Sequence, residues 1–228
     1  EAAARLACFD RLAAEAASTR IDETPVAATA PAAAGGALRS RMRKESNLLE
    51  NPFGLTAYKP NYILPVTYNS KIHEEPWTSI YPDANMDDVE AKFQISFKAQ
   101  VWDIGDRLGL WGAYTQESWW QVYNDEESAP FRETNYQPEI YLSYDTQAEL
   151  FGFHVAQLNL GFNHQSNGRS ELLSRSWNRI VAGALLERDN LAISPRIWYR
   201  LPEDEEDDDN PDTEDYYGYG DLRFAYAW

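Results

Sequence analysis

Val89–Val101 reads VEAKFQISFKAQV. Val89, Ala91, Phe93, Ile95, Phe97, Ala99 and Val101 are apolar, and Glu90, Lys92, Gln94, Ser96, Lys98 and Gln100 sit between them. Strict alternation over this length describes a β-strand with one oily and one wet face. On a helix the same residues would scatter round the cylinder. The pattern recurs. Leu191, Ile193, Pro195, Ile197, Tyr199 and Leu201 alternate with Ala192, Ser194, Arg196, Trp198 and Arg200. Leu222, Phe224, Tyr226 and Trp228 alternate with Asp221, Arg223, Ala225 and Ala227, and Ile140, Leu142 and Tyr144 with Glu139, Tyr141 and Ser143. The periodicity predicts about eight strands, at 61–69, 87–102, 109–121, 136–146, 150–164, 175–188, 191–201 and 217–228.

The connections alternate in length. Tight ones are expected at 103–108, 147–149 and 189–190, and long ones at 70–86, 122–135, 165–174 and 202–216. Short turns at one end and long loops at the other characterise an antiparallel transmembrane β-barrel. Aromatic residues near strand ends, Trp102, Trp111, Trp119, Trp120, Tyr199, Tyr216, Tyr217 and Trp228, suit the girdles where such a barrel meets the lipid–water boundary.

Composition fits this reading. The 228 residues carry 20 Lys+Arg against 37 Asp+Glu, a net charge of −17, which speaks against a nucleic-acid partner. The single cysteine, Cys8, excludes a disulfide framework and a cysteine-based metal site. Mean hydropathy is −0.59, and no apolar run approaches the roughly 20 residues of a membrane-spanning helix. Residues 1–45 read as a disordered N-terminal extension, with a short Ala-rich helix followed by an Ala/Pro/Gly linker, and lack the apolar core of a secretory signal. The organised domain is expected over 46–228.

Candidate chemistry lies between the fifth and sixth strands. Asn163–Ser170 reads NHQSNGRS and Ser174–Arg179 reads SRSWNR. In the fifth strand the apolar face holds Ala156, Leu158, Leu160 and Phe162, and continues to His164 and Ser166. In the sixth, the face with Ile180, Ala182, Ala184 and Leu186 continues back to Asn178. All three side chains are thus expected on the oily side, near one rim. A hydroxyl, an imidazole and an amide on neighbouring strands are the parts of a hydrolytic triad. They are equally the parts of an ordinary polar turn, and periodicity leaves both readings open.

The run N-H-x-S-N-G-R-S followed by S-R-S-W-N-R resembles the active-site motif of the outer membrane phospholipase A family. Asn61–Ser70 (NYILPVTYNS), Met86–Phe93 (MDDVEAKF), Tyr114–Trp120 (YTQESWW) and Glu126–Tyr136 (EESAPFRETNY) resemble it too, in the family's order. The resemblance covers about 60–228. It implies a twelve-stranded barrel in the Gram-negative outer membrane that hydrolyses sn-1 and sn-2 acyl esters of phospholipids and lysophospholipids with calcium, as a homodimer. It implies Ser166 as nucleophile, His164 as general base and Asn178 as the group orienting the imidazole. It also implies a calcium site between subunits, formed by the Ser174 hydroxyl and Arg169 carbonyl of one chain and the Ser128 carbonyl of its partner, with Gln116 at the dimer interface.

Two positions depart from the family pattern: Gln165 and Glu171 stand where an acidic residue and Asp are expected. About eight of twelve strands are accounted for, so the C-terminal strands are expected to be missing. Residues 203–215 hold ten acidic side chains and no basic one; the expectation is a solvated loop extended by like-charge repulsion. Two rivals remain on architecture. A porin or adhesin barrel would keep its polar groups inside, away from the oily face. A soluble β-sandwich lipase would bring its apolar faces together.

Overall fold

The computed structural model describes residues 54–170, 173–204, 208 and 210–227. These lie within one compact unit, residues 35–228. The expected extension over 1–45, Cys8, Glu171 and Trp228 fall outside the described residues.

Among the described residues nine strands form one antiparallel sheet. They are β1 (Thr56–Ala57), β2 (Tyr62–Tyr68), β3 (Val89–Gly105), β4 (Leu108–Trp120), β5 (Phe131–Leu150), β6 (Phe153–Ser166), β7 (Ser176–Arg188), β8 (Leu191–Arg200) and β9 (Gly220–Tyr226). From β3 onward each strand pairs with the next in sequence, while β1 and β2 both pair with β3. Among the described residues the sheet is open, with β1 and β2 at one edge and β9 at the other. Two short helices, α1 (Glu75–Ile80) and α2 (Thr213–Tyr217), lie in segments expected to be loops. Among the described residues no helix is long and apolar enough to cross a membrane.

The polarity is inverted relative to a water-soluble sheet. Ile95, Leu160, Ile197 and Phe224 are 50%, 55%, 66% and 65% exposed, whereas Glu90, Ser96, Thr115 and Asn163 are each 1% exposed. Apolar side chains cover the outer face and polar ones fill the inner face, as in a sheet whose solvent is lipid. A β-sandwich lipase would show the opposite. Strands β3 to β8 have 17, 13, 20, 14, 13 and 10 residues, matching or exceeding the roughly 9–11 that a tilted strand needs to cross a bilayer.

The sheet wraps round its polar face. Tyr58, between β1 and β2, donates its hydroxyl to Glu139 Oε1 on β5 at 2.5 Å. Arg196 on β8 lies 5.9 Å from the Tyr58 ring and donates to Glu139 Oε2 at 3.1 Å. Asn163 donates to the same oxygen at 3.0 Å and accepts from Arg179, which also donates to Gln165 Oε1 at 3.0 Å. Glu139, Arg179 and Arg196 are thus each hydrogen-bonded, as charges in a polar interior require.

Four local expectations change. Phe151 and Gly152, both at positive φ (51° and 78°), make a two-residue turn, so β5 runs through the expected 147–149 connection and β6 begins at Phe153. β5 begins at Phe131 instead of residue 136. A bulge at Arg132 explains this, because Trp119 pairs with Glu133 but Trp120 with Phe131, which breaks the period of two. Ala156, expected on the outer face, is 4% exposed at a second bulge, between Val155 and Gln157. Trp111 and Trp119 are not girdle residues. Trp111 is buried, stacked on Tyr141 at 6.4 Å with Lys98 4.6 Å from its ring, and Trp119 receives Lys92 at 4.5 Å. Opposite Tyr141, Gly161 leaves the room that a Cβ would take from the Tyr141 side chain.

The connections sort by end. The turns at 106–107, 151–152 and 189–190 lie at one end of the sheet, and the segments 69–88, 121–130, 167–175 and 201–219 at the other. The long segments brace one another. Asn124 Nδ2 donates to the Asn85 carbonyl at 2.8 Å, the Arg169 guanidinium sits 4.1 Å from the Trp77 ring, and Asn210 Nδ2 donates to the Ser174 carbonyl at 3.1 Å.

Candidate active site

His164, Ser166 and Asn178 occupy the outer face at the long-loop end of β6 and β7. They share parity with Phe162 and Ile180, whose side chains are exposed. Register fixes their grouping: His164 pairs with Asn178, and Ser166 with Ser176. His164 Nδ1 and Asn178 Oδ1 are 2.9 Å apart. Because an amide oxygen can only accept, His164 Nδ1 carries the proton and Nε2 is left as the base.

Ser166 lies two residues beyond His164 on the same face, about 6.6 Å along the strand, within reach of the imidazole edge. Among the described residues no hydrogen bond joins Ser166 to His164. The Ser166 Oγ instead accepts the Gly168 N–H at 3.0 Å. Gly168 has φ +67°, and a Cβ there would stand 3.4 Å from the Tyr136 ring. Glycine therefore supplies the left-handed conformation that aims this N–H at the serine.

The loop after β6 is organised by Asn167, which sequence reasoning did not single out. It is 5% exposed. Its Oδ1 accepts the N–H groups of Arg169 and Arg175 at 3.2 and 3.0 Å, and its Nδ2 donates to the Leu173 carbonyl at 2.8 Å. The one visible signal was an Asn directly after the serine, where a side-chain amide can replace backbone partners in a turn. Arg169 and Ser174 are held by this clamp. The Arg169 guanidinium caps the Phe131 and Arg132 carbonyls at 3.0 and 3.2 Å. Ser128 is exposed in the 121–130 loop at φ 60°. Backbone carbonyls and a hydroxyl are the oxygen donors calcium takes, so these residues fit that ion by chemistry. Among the described residues no cluster of His, Cys, Asp or Glu could hold a metal.

Gln116 lies on the same outer face. It pairs with Tyr136, which pairs with Ser166, so one row of the sheet joins the glutamine to the serine. Its Nε2 donates to Ser118 Oγ at 3.3 Å and its Oε1 accepts from the Tyr114 hydroxyl at 3.4 Å.

The acidic segment is not simply extended. Asn178 Nδ2 donates to Glu203 Oε1 at 2.8 Å, and Arg200 pairs with Asp208 at 2.6 Å. Two of its carboxylates therefore have partners on β7 and β8; residues 205–207 and 209 lie outside the described residues.

Inverted polarity and a Ser, His and Asn cluster on the outward side define a membrane-type β-barrel sheet with a site facing its apolar surroundings. The family model for phospholipase A1 matches residues 38–228, and the chain belongs to that family. Phospholipase A1 of Klebsiella pneumoniae is 40% identical over 186 residues, which are 79% of this chain and 64% of that protein. Phospholipase A1 of Escherichia coli is 37% identical over 199 residues, 86% of this chain and 66% of that one. The chain thus spans just under two thirds of these relatives' length. Among solved structures, outer membrane phospholipase A from Escherichia coli superposes with a TM-score of 0.70 at 38% identity, covering 76% of this chain and 72% of that one. The Salmonella typhi outer membrane phospholipase dimer with bound calcium gives 0.72 at 38% identity, covering 80% and 71%.

Proposed function

We propose that the protein is a calcium-dependent phospholipase of the bacterial outer membrane, a homodimer that hydrolyses acyl esters of phospholipids and lysophospholipids with Ser166, His164 and Asn178. The observation carrying this reading is the 2.9 Å His164–Asn178 contact beside Ser166 on the exposed apolar face. A porin or adhesin has no use for a base and a nucleophile on its lipid side. The relatives' names and the calcium-bound dimer support the same reading.

His164 Nε2 takes the Ser166 proton as Oγ attacks the ester carbonyl. Asn178 holds Nδ1–H and stabilises the imidazolium that forms. His164 then returns the proton to the departing alcohol, and a water repeats the sequence on the acyl-enzyme. The Gly168 N–H, already 3.0 Å from Oγ, is a donor for the oxyanion. Arg169 and Ser174, with Ser128 of a second subunit, would hold calcium, which would supply positive charge near that oxyanion. Exposed apolar side chains round the site admit a lipid laterally from the bilayer. Residues 46–228 form the barrel domain in this reading, with 1–45 an extension.

Hydrolysis of phospholipid in detergent micelles, with and without calcium, tests the proposal. Activity should disappear with EDTA. It should also fall as dilution separates the subunits, because Ser128 is borrowed from the partner. Full activity in a demonstrated monomer would remove the shared site.

Sidedness is separately testable. With the N-terminal segment in the periplasm, β2 runs outward and the bracing long loops face the exterior. In a Cys8→Ala background, Asp83→Cys on the exposed 69–88 segment should react with an impermeant thiol reagent on intact cells. Labelling only after the outer membrane is broken would invert the topology and move the site to the inner leaflet.

A further inference from the structure

Asn178 makes two side-chain contacts of opposite kind. Its Oδ1 meets His164 Nδ1 at 2.9 Å, and its Nδ2 donates to Glu203 Oε1 at 2.8 Å. An amide can be turned over by rotation about its last side-chain torsion, which exchanges oxygen and nitrogen. Nothing in a His–Asn pair alone forbids this, since a His Nδ1 that accepts would suit an Asn that donates. That arrangement would put the imidazole proton on Nε2 and leave no base towards the serine. A carboxylate oxygen offers only lone pairs, so Glu203 demands the NH2 end of Asn178. The oxygen is thereby committed to His164, and the proton to Nδ1.

The chain places Glu203 here by register. β7 and β8 pair through Arg179 and Arg200, so the chain leaving β8 passes Asn178. The Leu201 N–H donates to the Asn178 carbonyl at 2.8 Å, and Glu203 follows two residues later, half-buried. Glu203 is also the first residue of the acidic run, which otherwise has no assigned role.

We propose that Glu203 is a positioning residue for ester hydrolysis, acting through Asn178: Glu203 Oε1 holds the Asn178 amide so that its oxygen fixes His164 as the Nδ1–H tautomer. This rests on the phospholipase reading above. It also gives a reason for Asn, and not Asp, as third member. A carboxylate at 178 would face the Glu203 carboxylate with no proton between them.

The test uses the full chain in detergent micelles. Imidazole 15N shifts, assigned by difference with a His164→Gln variant, report the tautomer directly. The parent should show the Nδ1–H form and Glu203→Ala a mixture. Asn178→Asp should lower hydrolysis at least about tenfold, the size of one hydrogen bond to a charged group. Adding Glu203→Gln to Asn178→Asp should recover most of that loss, because the introduced amide can donate to the new carboxylate. A role confined to anchoring the loop would leave the tautomer unmoved and the double variant no better than the single one. Either result overturns the inference. If the parent hydrolyses nothing, or Ser166→Ala changes nothing, the phospholipase reading fails, and the tautomer spectra alone still decide for or against Glu203.

Discussion

Ser166→Ala is expected to remove phospholipid hydrolysis by on the order of a thousandfold or more, with folding unchanged. The Ser166 hydroxyl accepts the Gly168 N–H at 3.0 Å. Its loss leaves that exposed N–H to water, so no buried group is orphaned and stability should move little. Asn178→Ala should cost less, because an amide only orients and stabilises the imidazolium. Initial rates on a dispersed phospholipid, with barrel content followed by circular dichroism, separate the two effects. Hydrolysis within tenfold of the parent in Ser166→Ala would sink the assignment of the nucleophile.

The outward parity of the triad was legible in the sequence because β6 and β7 keep a strict period of two between residues 157 and 166 and between 176 and 184. Over those stretches Phe162, His164 and Ser166, and Ile180 and Asn178, fall on one face in both sequence and structure. The same reasoning failed wherever the ladder carries an extra residue. At Arg132 a bulge turns Phe131 outward, to stack on Trp120 at 5.6 Å, and Arg132 inward, to Glu90. Alternation from residue 136 therefore could not be extended backwards to 131. Ala156 was misassigned for the same reason. The polar residues Gln116, Ser118 and Thr134 also blur the pattern. Ser118 accepts from both Gln116 and Thr134, forming a hydrogen-bonded group on a face that is otherwise apolar.

Girdle aromatics and interior aromatics look alike in sequence, since both sit near strand ends. Trp102 is 68% exposed, whereas Trp111, nine residues on in the chain, is 8% exposed. What separates them is the cation beneath the ring, Lys98 for Trp111, which comes from the neighbouring strand and needs the register to be known. The contact between Asn178 and Glu203 was hidden in a different way. It joins residues 25 apart through a loop whose composition says only that it is acidic. Composition favours an extended loop by repulsion, but single carboxylates within it find specific donors.

The largest stability effect is expected at the interior end of β3. Glu90 is 1% exposed. Arg132 reaches it with two nitrogens, Nη2 to Oε1 at 2.6 Å and Nε to Oε2 at 2.8 Å, and Gln121 Nε2 adds a third donor to Oε2 at 3.0 Å. Glu90→Leu strips all three donors of their acceptor and removes the carboxylate that the Arg132 guanidinium grips with two nitrogens. Removing one partner of such a pair costs about 3–5 kcal/mol. Replacing both partners removes the uncompensated charge, so Glu90→Leu with Arg132→Met should recover more than half of that loss. Denaturant titration in phospholipid vesicles, comparing midpoints at constant slope, measures both steps. A loss below about 1 kcal/mol for the single variant would mean that water already solvates Arg132 from the lumen. Recovery in the double variant would instead place the cost on the stranded charge, and not on the volume lost or gained at position 90. The bulge gives this pair a second consequence. Arg132 is the extra residue that points β5 inward at its start, and the same turn of the strand carries Phe131, whose carbonyl accepts from Arg169. Breaking Glu90–Arg132 should therefore loosen the loop that holds the serine, and hydrolysis should fall in Glu90→Leu even at temperatures where the sheet remains folded.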